Sequence, residues 1–175
     1  MIEAQHAIII RSGIGEIWNY VQDIERWAHL FPGCRECAVK SRDESDWTIK
    51  VGAGGLMKTV VVQVQVQEWA EPDGVRFAFR LASDPVQGTG RYRASRKGTA
   101  ETEICLELQV QGSGQMAPMW EAVSRPLLPQ LARAFAENLR AEIEGLPRPT
   151  FRSRFVGWLR SLWQKVLAFR ASPAS

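Results

Sequence analysis

The chain has 175 residues, of which 45% are hydrophobic and 23% charged, as expected for one domain with an ordinary buried core. Its three cysteines do not make a disulfide scaffold, and no apolar run is long enough to cross a bilayer. The first residues, MIEAQH, have neither the basic nor the apolar region of a secretory leader, so we expect a cytoplasmic protein.

The first third of the chain predicts one strand followed by two short helices. Residues 2–11 alternate and are rich in β-branched side chains, which predicts a strand. Ser12 is the predicted N-cap of a helix with the sequence GIGEIWNYV. The segment IERWAHLFPG predicts a second helix that ends at Pro32 and Gly33, with Asp23 at its start. Helices this short need a surface to pack on.

The middle of the chain has the pattern of consecutive antiparallel strands. The predicted strands are 34–41, 46–51, 58–69, 76–81, 87–96 and 102–111. In the third of them valines alternate with glutamines, which indicates a sheet with one dry and one wet face. Short turns between the strands favour a meander.

A long helix is predicted over residues 115–144, where apolar residues recur at helical spacing. Pro126 and Pro129 are expected to bend this helix or divide it in two, and Gly145 and Pro147 to end it. Because a curved, one-sided sheet must cover its apolar face, this helix is expected to lie against that face.

This order of elements resembles the helix-grip fold of the START-like (SRPBCC) superfamily, an α+β fold in which a curved antiparallel sheet of about seven strands wraps around a long C-terminal helix. Within it, the chain is similar to the CoxG family, whose members accompany carbon monoxide dehydrogenase. The similarity rests on the segments QGTGRYR, KGTAETEI and VQGSGQMAPM, and on EIWNYVQDIERWAHLFPGC, in which the matching residues are Trp18, Asp23, Pro32, Gly33 and Cys34.

The sequence predicts an apolar pocket between the sheet and the long helix. A curved sheet and a bent helix leave room, and flexible methionines suit varied apolar shapes. The alternative is that the same residues pack solidly. The resemblance implies a hydrophobic ligand here, and the predicted lining residues are Phe77, Phe79, Leu81, Tyr92, Met116, Met119, Trp120, Val123 and Leu127.

The sequence contains no motif for a catalytic, metal or cofactor site. Cys34 and Cys37 form a lone CxxC without the second ligand pair of a zinc site, so they are interpreted as small residues entering a strand. The glycines of residues 52–55 have no following helix and favour a hairpin or bulge over a phosphate loop. The two histidines, His6 and His29, are interpreted as structural.

Residues 145–175 carry six basic side chains and no acidic one, although the chain as a whole has a net charge of only +3. The predicted organisation is a helix-grip domain (1–144), a proline-rich linker (145–150), a basic amphipathic helix (151–170) and a disordered end (171–175). Aromatic residues on one face and basic residues on the other favour binding to an anionic membrane surface. The predicted membrane-binding residues are Arg152, Arg154, Phe155, Trp158, Arg160, Leu162, Trp163 and Lys165.

Two other interpretations of this tail remain open, namely packing on the domain or on a partner protein, and recognition as a calmodulin-type target helix. Nucleic-acid binding is not predicted, because the cluster Arg91, Arg93, Arg96 and Lys97 has no interleaved aromatic residues.

Together these features predict a non-catalytic carrier of a hydrophobic small molecule, such as a quinone or a lipid, at the inner face of the cell membrane. The resemblance implies that it works beside a molybdenum-containing dehydrogenase of the carbon monoxide dehydrogenase type. One alternative is an enzyme of the polyketide cyclase or hydratase type, with His6 or Tyr92 as acid/base. Another is a membrane-recruiting adaptor with no ligand.

Overall fold

The computed structural model describes residues 1–53 and 56–149, with side chains for 1–50 and 59–149. Seven strands and three α-helices account for most of this part of the chain. In chain order they are β1 (Ile2–Ile10), α1 (Ile14–Val21), α2 (Ile24–Ala28), β2 (Cys34–Val39), β3 (Glu44–Ala53), β4 (Leu56–Ala70), β5 (Gly74–Leu81), β6 (Val86–Gly98), β7 (Glu101–Gly112) and α3 (Ala117–Glu144).

The strands form one antiparallel sheet in the order β1-β7-β6-β5-β4-β3-β2. Consecutive strands from β2 to β7 are therefore neighbours, which confirms the predicted meander, and β1 pairs with β7 at the far edge. The predicted bounds are short by a few residues at several ends, most clearly for β3 and β4. Strand β2 is the opposite edge of the sheet, and among the described strands its one neighbour is β3.

Helix α3 packs across the inner face of the sheet, where it contacts β1 and β7. From Ile104 to Val110, every second residue of β7 faces the helix and is buried. These residues are Ile104, Leu106, Leu108 and Val110. The predicted dry face and its covering helix are thus confirmed.

Pro126 and Pro129 do not divide α3, so that part of the prediction is wrong. The helix runs without interruption over 28 residues, and both prolines are exposed. Their rings lie on the solvent side of the helix, where water can satisfy the carbonyl groups that lose a helical donor. The helix also begins at Ala117 after a 3₁₀ turn of residues 114–116, rather than at residue 115.

The N-caps of the two short helices differ from each other. The N-cap of α1 is Gly13 and not Ser12 as predicted, because the Ser12 hydroxyl donates to the carboxylate of Glu16 instead. Asp23 caps α2 as predicted, since its Oδ1 accepts hydrogen bonds from the backbone N–H groups of Glu25 and Arg26 at 3.1 and 3.4 Å.

The loop after α2 is fixed to α3. The Nδ2 of buried Asn138 donates a 2.7 Å hydrogen bond to the carbonyl of Leu30, and the rings of Phe31 and Phe135 lie 5.0 Å apart between centroids. On the sheet side, the ring of Phe31 packs against Trp47 of β3 with centroids 5.4 Å apart. The loop is thereby held between the helix and β3.

Gly145 ends α3 in the left-handed conformation, with φ of 68°, as predicted. The described part of the predicted linker is attached to the domain and is not a plain spacer. Arg148 donates to Glu142 at 2.6 Å and to the carbonyl of His29 at 3.2 Å. The predicted tail helix of residues 151–170 and the end of the chain, 171–175, lie outside the described residues.

Within the described ranges, none of the helices combines the length and the apolar character that crossing a membrane requires.

Candidate ligand-binding cavity

A cavity of about 200 Å³ lies between the inner face of the sheet and the first half of α3. Three groups of side chains enclose it: the loop after α2, the inner faces of β3 to β7, and one stripe of the helix. They are Phe31, Pro32, Trp47, Ile49, Val60, Val62, Val64, Phe77, Phe79, Leu81, Val86, Leu108, Val110, Trp120, Val123, Ser124, Leu127, Leu128 and Leu131.

Two glycines of β6 make room for the rings of Phe77 and Phe79, which line the cavity. Gly90 pairs with Phe77 and Gly88 with Phe79 in the register of β5 and β6. A Cβ atom on Gly90 would lie 2.7 Å from Cε1 of Phe77, and one on Gly88 would lie 2.9 Å from Cε2 of Phe79. Because both Cβ atoms are missing, the two rings lie down on the sheet, and the volume beneath α3 stays open.

The helical wall repeats with the period of the helix. Trp120, Val123, Leu127 and Leu131 are three or four residues apart, so they project from one face of α3. Of the predicted lining residues, the structure places six around the cavity, namely Phe77, Phe79, Leu81, Trp120, Val123 and Leu127.

Tyr92, Met116 and Met119 do not line the cavity, contrary to the prediction. Tyr92 is buried in the cross-strand row Val75–Tyr92–Leu106, one row beyond Phe77 and Gly90. The two methionines are half-buried against the core where α3 begins. The sequence does not indicate which part of the sheet the first turn of α3 covers. The prediction that these methionines line the cavity is wrong for that reason.

Sequence reasoning misses the wall formed by the loop after α2 and by β3 and β4. The valines of β4 are recognisable as a dry face, but nothing in the pattern assigns them to the pocket. Trp47 and Ile49 lie on the predicted strand 46–51 and Phe31 in the predicted helix end, without a signal that these segments meet. Only the sheet register brings them together.

The cavity is uncharged. Among the described lining residues there is no Asp, Glu, His, Lys, Arg, Cys or Tyr. The one hydroxyl belongs to Ser124, and it donates a 2.7 Å hydrogen bond to the carbonyl of Trp120. The Ser124 oxygen keeps its capacity to accept. A charged ligand group would lose its hydration here without compensation.

The two acid/base candidates of the enzymatic alternative lie outside the cavity. Tyr92 and His6 occupy the same inner row, on either side of Leu106. Burial raises the pKa of the Tyr92 phenol, and its hydroxyl has no hydrogen-bond partner among the described residues. Tyr92 is therefore a neutral group, enclosed by the core. His6 is half-buried.

The cavity opens where its lining residues are half-buried instead of buried. These residues come from the loop after α2, from β3, β4 and β5, and from α3; they are Pro32, Ile49, Val62, Phe79, Leu81, Leu127 and Leu131. The mouth between α3 and the β3–β4 side of the sheet thus has an apolar rim. None of the described residues that form this rim is charged.

Two broader depressions, of about 720 and 900 Å³, lie on the outer face of the sheet. They are open and lined largely by polar and charged side chains, many of which pair with one another. Arg76 contacts Glu68 at 2.5 Å, Lys97 contacts Glu103 at 3.6 Å, and Arg93 pairs with Glu107. The predicted basic cluster is thus part of a mixed, solvated surface, and the enclosed cavity is the better candidate for ligand binding.

The curved seven-stranded sheet around one long helix, with an apolar cavity between them, defines a helix-grip domain of the START-like class. Residues 14–136 match the family described as "Polyketide cyclase / dehydrase and lipid transport", and the chain belongs to this family. A comparison with curated protein sequences gives no match.

Solved structures share the fold over most of the chain at low sequence identity. A conserved protein from Geobacillus kaustophilus is 14% identical with a TM-score of 0.70, over 82% of this chain and 96% of that one. A START superfamily protein from Mycobacterium smegmatis is 17% identical, with a TM-score of 0.62 over 83% and 99% of the two chains. The Zhui aromatase/cyclase from Streptomyces sp. R1128 is 15% identical, with a TM-score of 0.57 over 81% and 93%. The narrower resemblance to the CoxG family stays a prediction.

Proposed function

We propose that this protein is a non-catalytic carrier that holds an uncharged, hydrophobic small molecule in the cavity beneath α3. The observation that carries the proposal is the enclosed apolar lining, in which none of the described residues has a titratable side chain. Burying on the order of 200 Å² of apolar ligand surface at about 25 cal/mol per Å² contributes about 5 kcal/mol before the cost of association.

The size of the cavity limits what it encloses. A cavity of roughly 150 Å³ takes a benzene ring, so the volume of about 200 Å³ found here suits one substituted ring or a short branched chain. A longer molecule would extend through the apolar mouth. A quinone, or the hydrocarbon end of a lipid, fits this description.

The proposed place of action is the inner face of the cell membrane, reached through residues 151–170. The support is the segregation of charge, because removing the six basic residues of the last part of the chain leaves 16 basic and 19 acidic residues. An anionic lipid surface complements such a tail. The proposed partner, by resemblance, is a molybdenum-containing dehydrogenase that would deliver electrons to, or receive them from, the carried molecule.

Ligand extraction and thermal unfolding test the carrier proposal. Organic extracts of the purified protein should contain an apolar compound that mass spectrometry can identify. A neutral short-chain benzoquinone at about 100 times its Kd should add about 2.7 kcal/mol to the stability, which for a chain of this size raises Tm by roughly 5–10 °C.

Leu127→Trp fills the mouth of the cavity without adding charge and should abolish the shift in Tm. Leu146→Trp is the matched control, because Leu146 is 50% exposed and lies beyond α3. An empty extract together with the same Tm in the presence and absence of quinone would favour an adaptor that binds only lipid surfaces and protein.

An enzyme of the cyclase type is the second candidate, favoured by the family to which the chain belongs. It requires His6 or Tyr92 to reach the substrate, although neither lines the cavity. Turnover of a polyketide-like substrate that is lost in His6→Ala or Tyr92→Phe, with ligand binding retained, would replace the carrier proposal by this one.

A further inference from the structure

Cys34 and Cys37 lie on one face of the sheet because of a bulge in β2. The register pairs Cys34 with Ile49 and Cys37 with Trp47, and shifts by one residue between them. The extra residue is accommodated by Arg35 and Glu36, which are both exposed, whereas both cysteines are half-buried. A spacing of three residues would otherwise place the two thiols on opposite faces.

The two cysteines are neighbours on one face of an edge strand. Their partners on β3 are two residues apart, so the Cα atoms of the cysteines, and the Cβ atoms on the same face, are separated by about 6–7 Å. Disulfides span Cα separations of roughly 4.4–6.8 Å and Cβ separations of roughly 3.5–4.5 Å, so the link requires β2 to bend at the bulge until the Cβ atoms approach by about 2–3 Å. Both thiols are free in the structure, and among the described strands β2 has β3 as its one neighbour, so this bending disturbs no second ladder.

The pair adjoins the cavity. The residues opposite the two cysteines, Trp47 and Ile49, line it, and so do Phe31 and Pro32, which come just before Cys34 in the chain. The start of β2 is therefore continuous with one wall of the ligand site.

We propose that Cys34 and Cys37 form a reversible disulfide across the bulge by exchange with a small disulfide such as oxidised glutathione. A thiolate of the pair attacks one sulfur of oxidised glutathione and releases one glutathione thiol. The second cysteine then attacks the mixed disulfide and releases the other. Two protein thiols are oxidised, and one glutathione disulfide is reduced to two thiols.

The environment of the two thiols determines the rate of thiol–disulfide exchange. Burial, together with the neighbouring Cys34, raises the pKa of the Cys37 thiol to about 11, and burial also raises the pKa of Cys34. Since the thiolate is the attacking species, the rate should rise about tenfold for each pH unit between pH 7 and 9. The exchange is slow at neutral pH and suits a lasting change of state.

Peptide mapping gives a direct test, because the chain offers a tryptic site between the two cysteines. Cleavage after Arg26, Arg35 and Lys40 yields WAHLFPGCR (27–35) and ECAVK (36–40). The full-length protein is equilibrated in glutathione buffers, quenched in acid, alkylated with a maleimide and digested. The expected product is a linked pair of these two peptides that separates on reduction, with two alkylatable thiols lost together.

Two conservative variants serve as controls. Cys34→Ser should abolish the linked peptides, whereas Cys105→Ser should retain them, because Cys105 is on the outer face of the sheet opposite Ala7 and Arg93. Separate peptides that each carry glutathione, or three thiols that remain alkylatable in every buffer, would overturn the proposal.

A second measurement asks whether the link acts on the cavity, and this step rests on the proposed carrier function. The fluorescent neutral amine N-phenyl-1-naphthylamine is the probe. Its release from the oxidised protein should be several-fold slower than from the reduced protein, and equally fast in both states of Cys34→Ser. If the linked peptides form but the release rate is the same in both states, the disulfide exists and has no effect on the cavity wall. If the protein binds no probe in either state, the result counts against the carrier function instead.

Discussion

At the scale of single residues, the space beneath α3 depends on two positions of β6 that have no side chain. Phe77 and Phe79 have enough volume to fill the cavity if their rings turned upward. They lie flat because Gly90 and Gly88 present only backbone beneath them. The segment QGTGRYR supports the family resemblance, and its alternate glycines have this physical reason.

Gly90→Ala tests this arrangement. The new methyl group would overlap the Phe77 ring and turn it into the cavity. We expect the free energy of unfolding to fall by about 1–3 kcal/mol and the affinity for a neutral apolar probe to be lost. Urea unfolding and fluorescence titration measure the two effects.

Gly98→Ala is the control for Gly90→Ala on the same strand, because a Cβ there comes no nearer than 3.9 Å to Glu101. In the double variant Gly90→Ala/Phe77→Leu, part of the lost stability should return, since the clash is relieved. If Gly90→Ala kept the stability and probe affinity of the wild type, the glycine would not be what opens the cavity.

Tyr92 gives a prediction about pH. Burial raises the pKa of its phenol above the ordinary value of about 10, which the unfolded chain retains. Above pH 10 the unfolded state therefore loses this proton while the folded state keeps it. The stability that Tyr92 contributes is thus present below pH 10 and lost as pH rises towards the folded-state pKa.

Tyr92→Phe should have nearly unchanged stability at pH 8, because the hydroxyl has no partner among the described residues. Between pH 10 and 11 it should lose less stability than the wild type in urea unfolding. Tyr20→Phe is the comparison: burial also raises the pKa of the Tyr20 phenol, but Tyr20 is only half-buried, so its effect on the alkaline slope should be smaller than that of Tyr92→Phe. The same alkaline slope for wild type and Tyr92→Phe would refute the prediction.

At the scale of elements, α3 is a continuous helix that tolerates two internal prolines. Because proline has no N–H, the carbonyls of Ala122 and Arg125 lack the donor that an ordinary residue would supply. The affected turns are the ones whose other face lines the cavity. The helix is therefore weakened beside the cavity.

Replacing both prolines, Pro126→Ala/Pro129→Ala, should stabilise the protein by about 2 kcal/mol for each residue. Amide hydrogen exchange over residues 117–131 should slow, and so should release of a bound probe. Pro118→Ala is the control, because Pro118 lies in the first turn, where the N–H has no helical acceptor. Unchanged exchange in the double variant would mean that the prolines do not weaken this segment.

The sequence is sufficient for the elements and insufficient for the site. Period-two and helical patterns depend on which side of an element is buried, so the meander, the dry face of β7 and the Asp23 cap can be predicted. The cavity wall from Trp47 and Ile49, and the shared face of Cys34 and Cys37, depend on register and on a bulge. Those are properties of two strands together, and no single segment encodes them.

At the scale of the whole molecule, the attachment of Arg148 bears on how the tail leaves the domain. Its contacts with Glu142 and with the carbonyl of His29 hold residue 148 close to the end of α2. That end is followed at once by Phe31 and Pro32 in the cavity wall. Residue 148 therefore lies near the side of the domain that contains the cavity.

Vesicle binding tests the proposed target of the tail. Each basic residue near an anionic surface contributes about 1 kcal/mol, so Arg160→Gln/Lys165→Gln should weaken binding to phosphatidylserine vesicles roughly 30-fold. Arg91→Gln/Arg96→Gln removes the same charge from the outer face of the sheet and should change binding little. Equal losses in a sedimentation assay would mean that net charge, and not the tail, directs binding.

Transfer of a long-chain quinone joins the tail and the cavity in one measurement. A carrier tethered to lipid has its cavity at high effective concentration there, whereas an untethered one must meet the vesicle by diffusion. In Trp158→Glu/Trp163→Glu, which charges the face predicted to insert, a short-chain quinone should bind as in the wild type. Extraction of a long-chain quinone from vesicles should be at least several-fold slower.

Ser153→Glu/Ser161→Glu adds the same charge to the predicted polar face and controls for electrostatic repulsion by the lipid. If both double variants extract the long-chain quinone at the wild-type rate, the tail serves docking on a partner protein, and ligand loading does not depend on it.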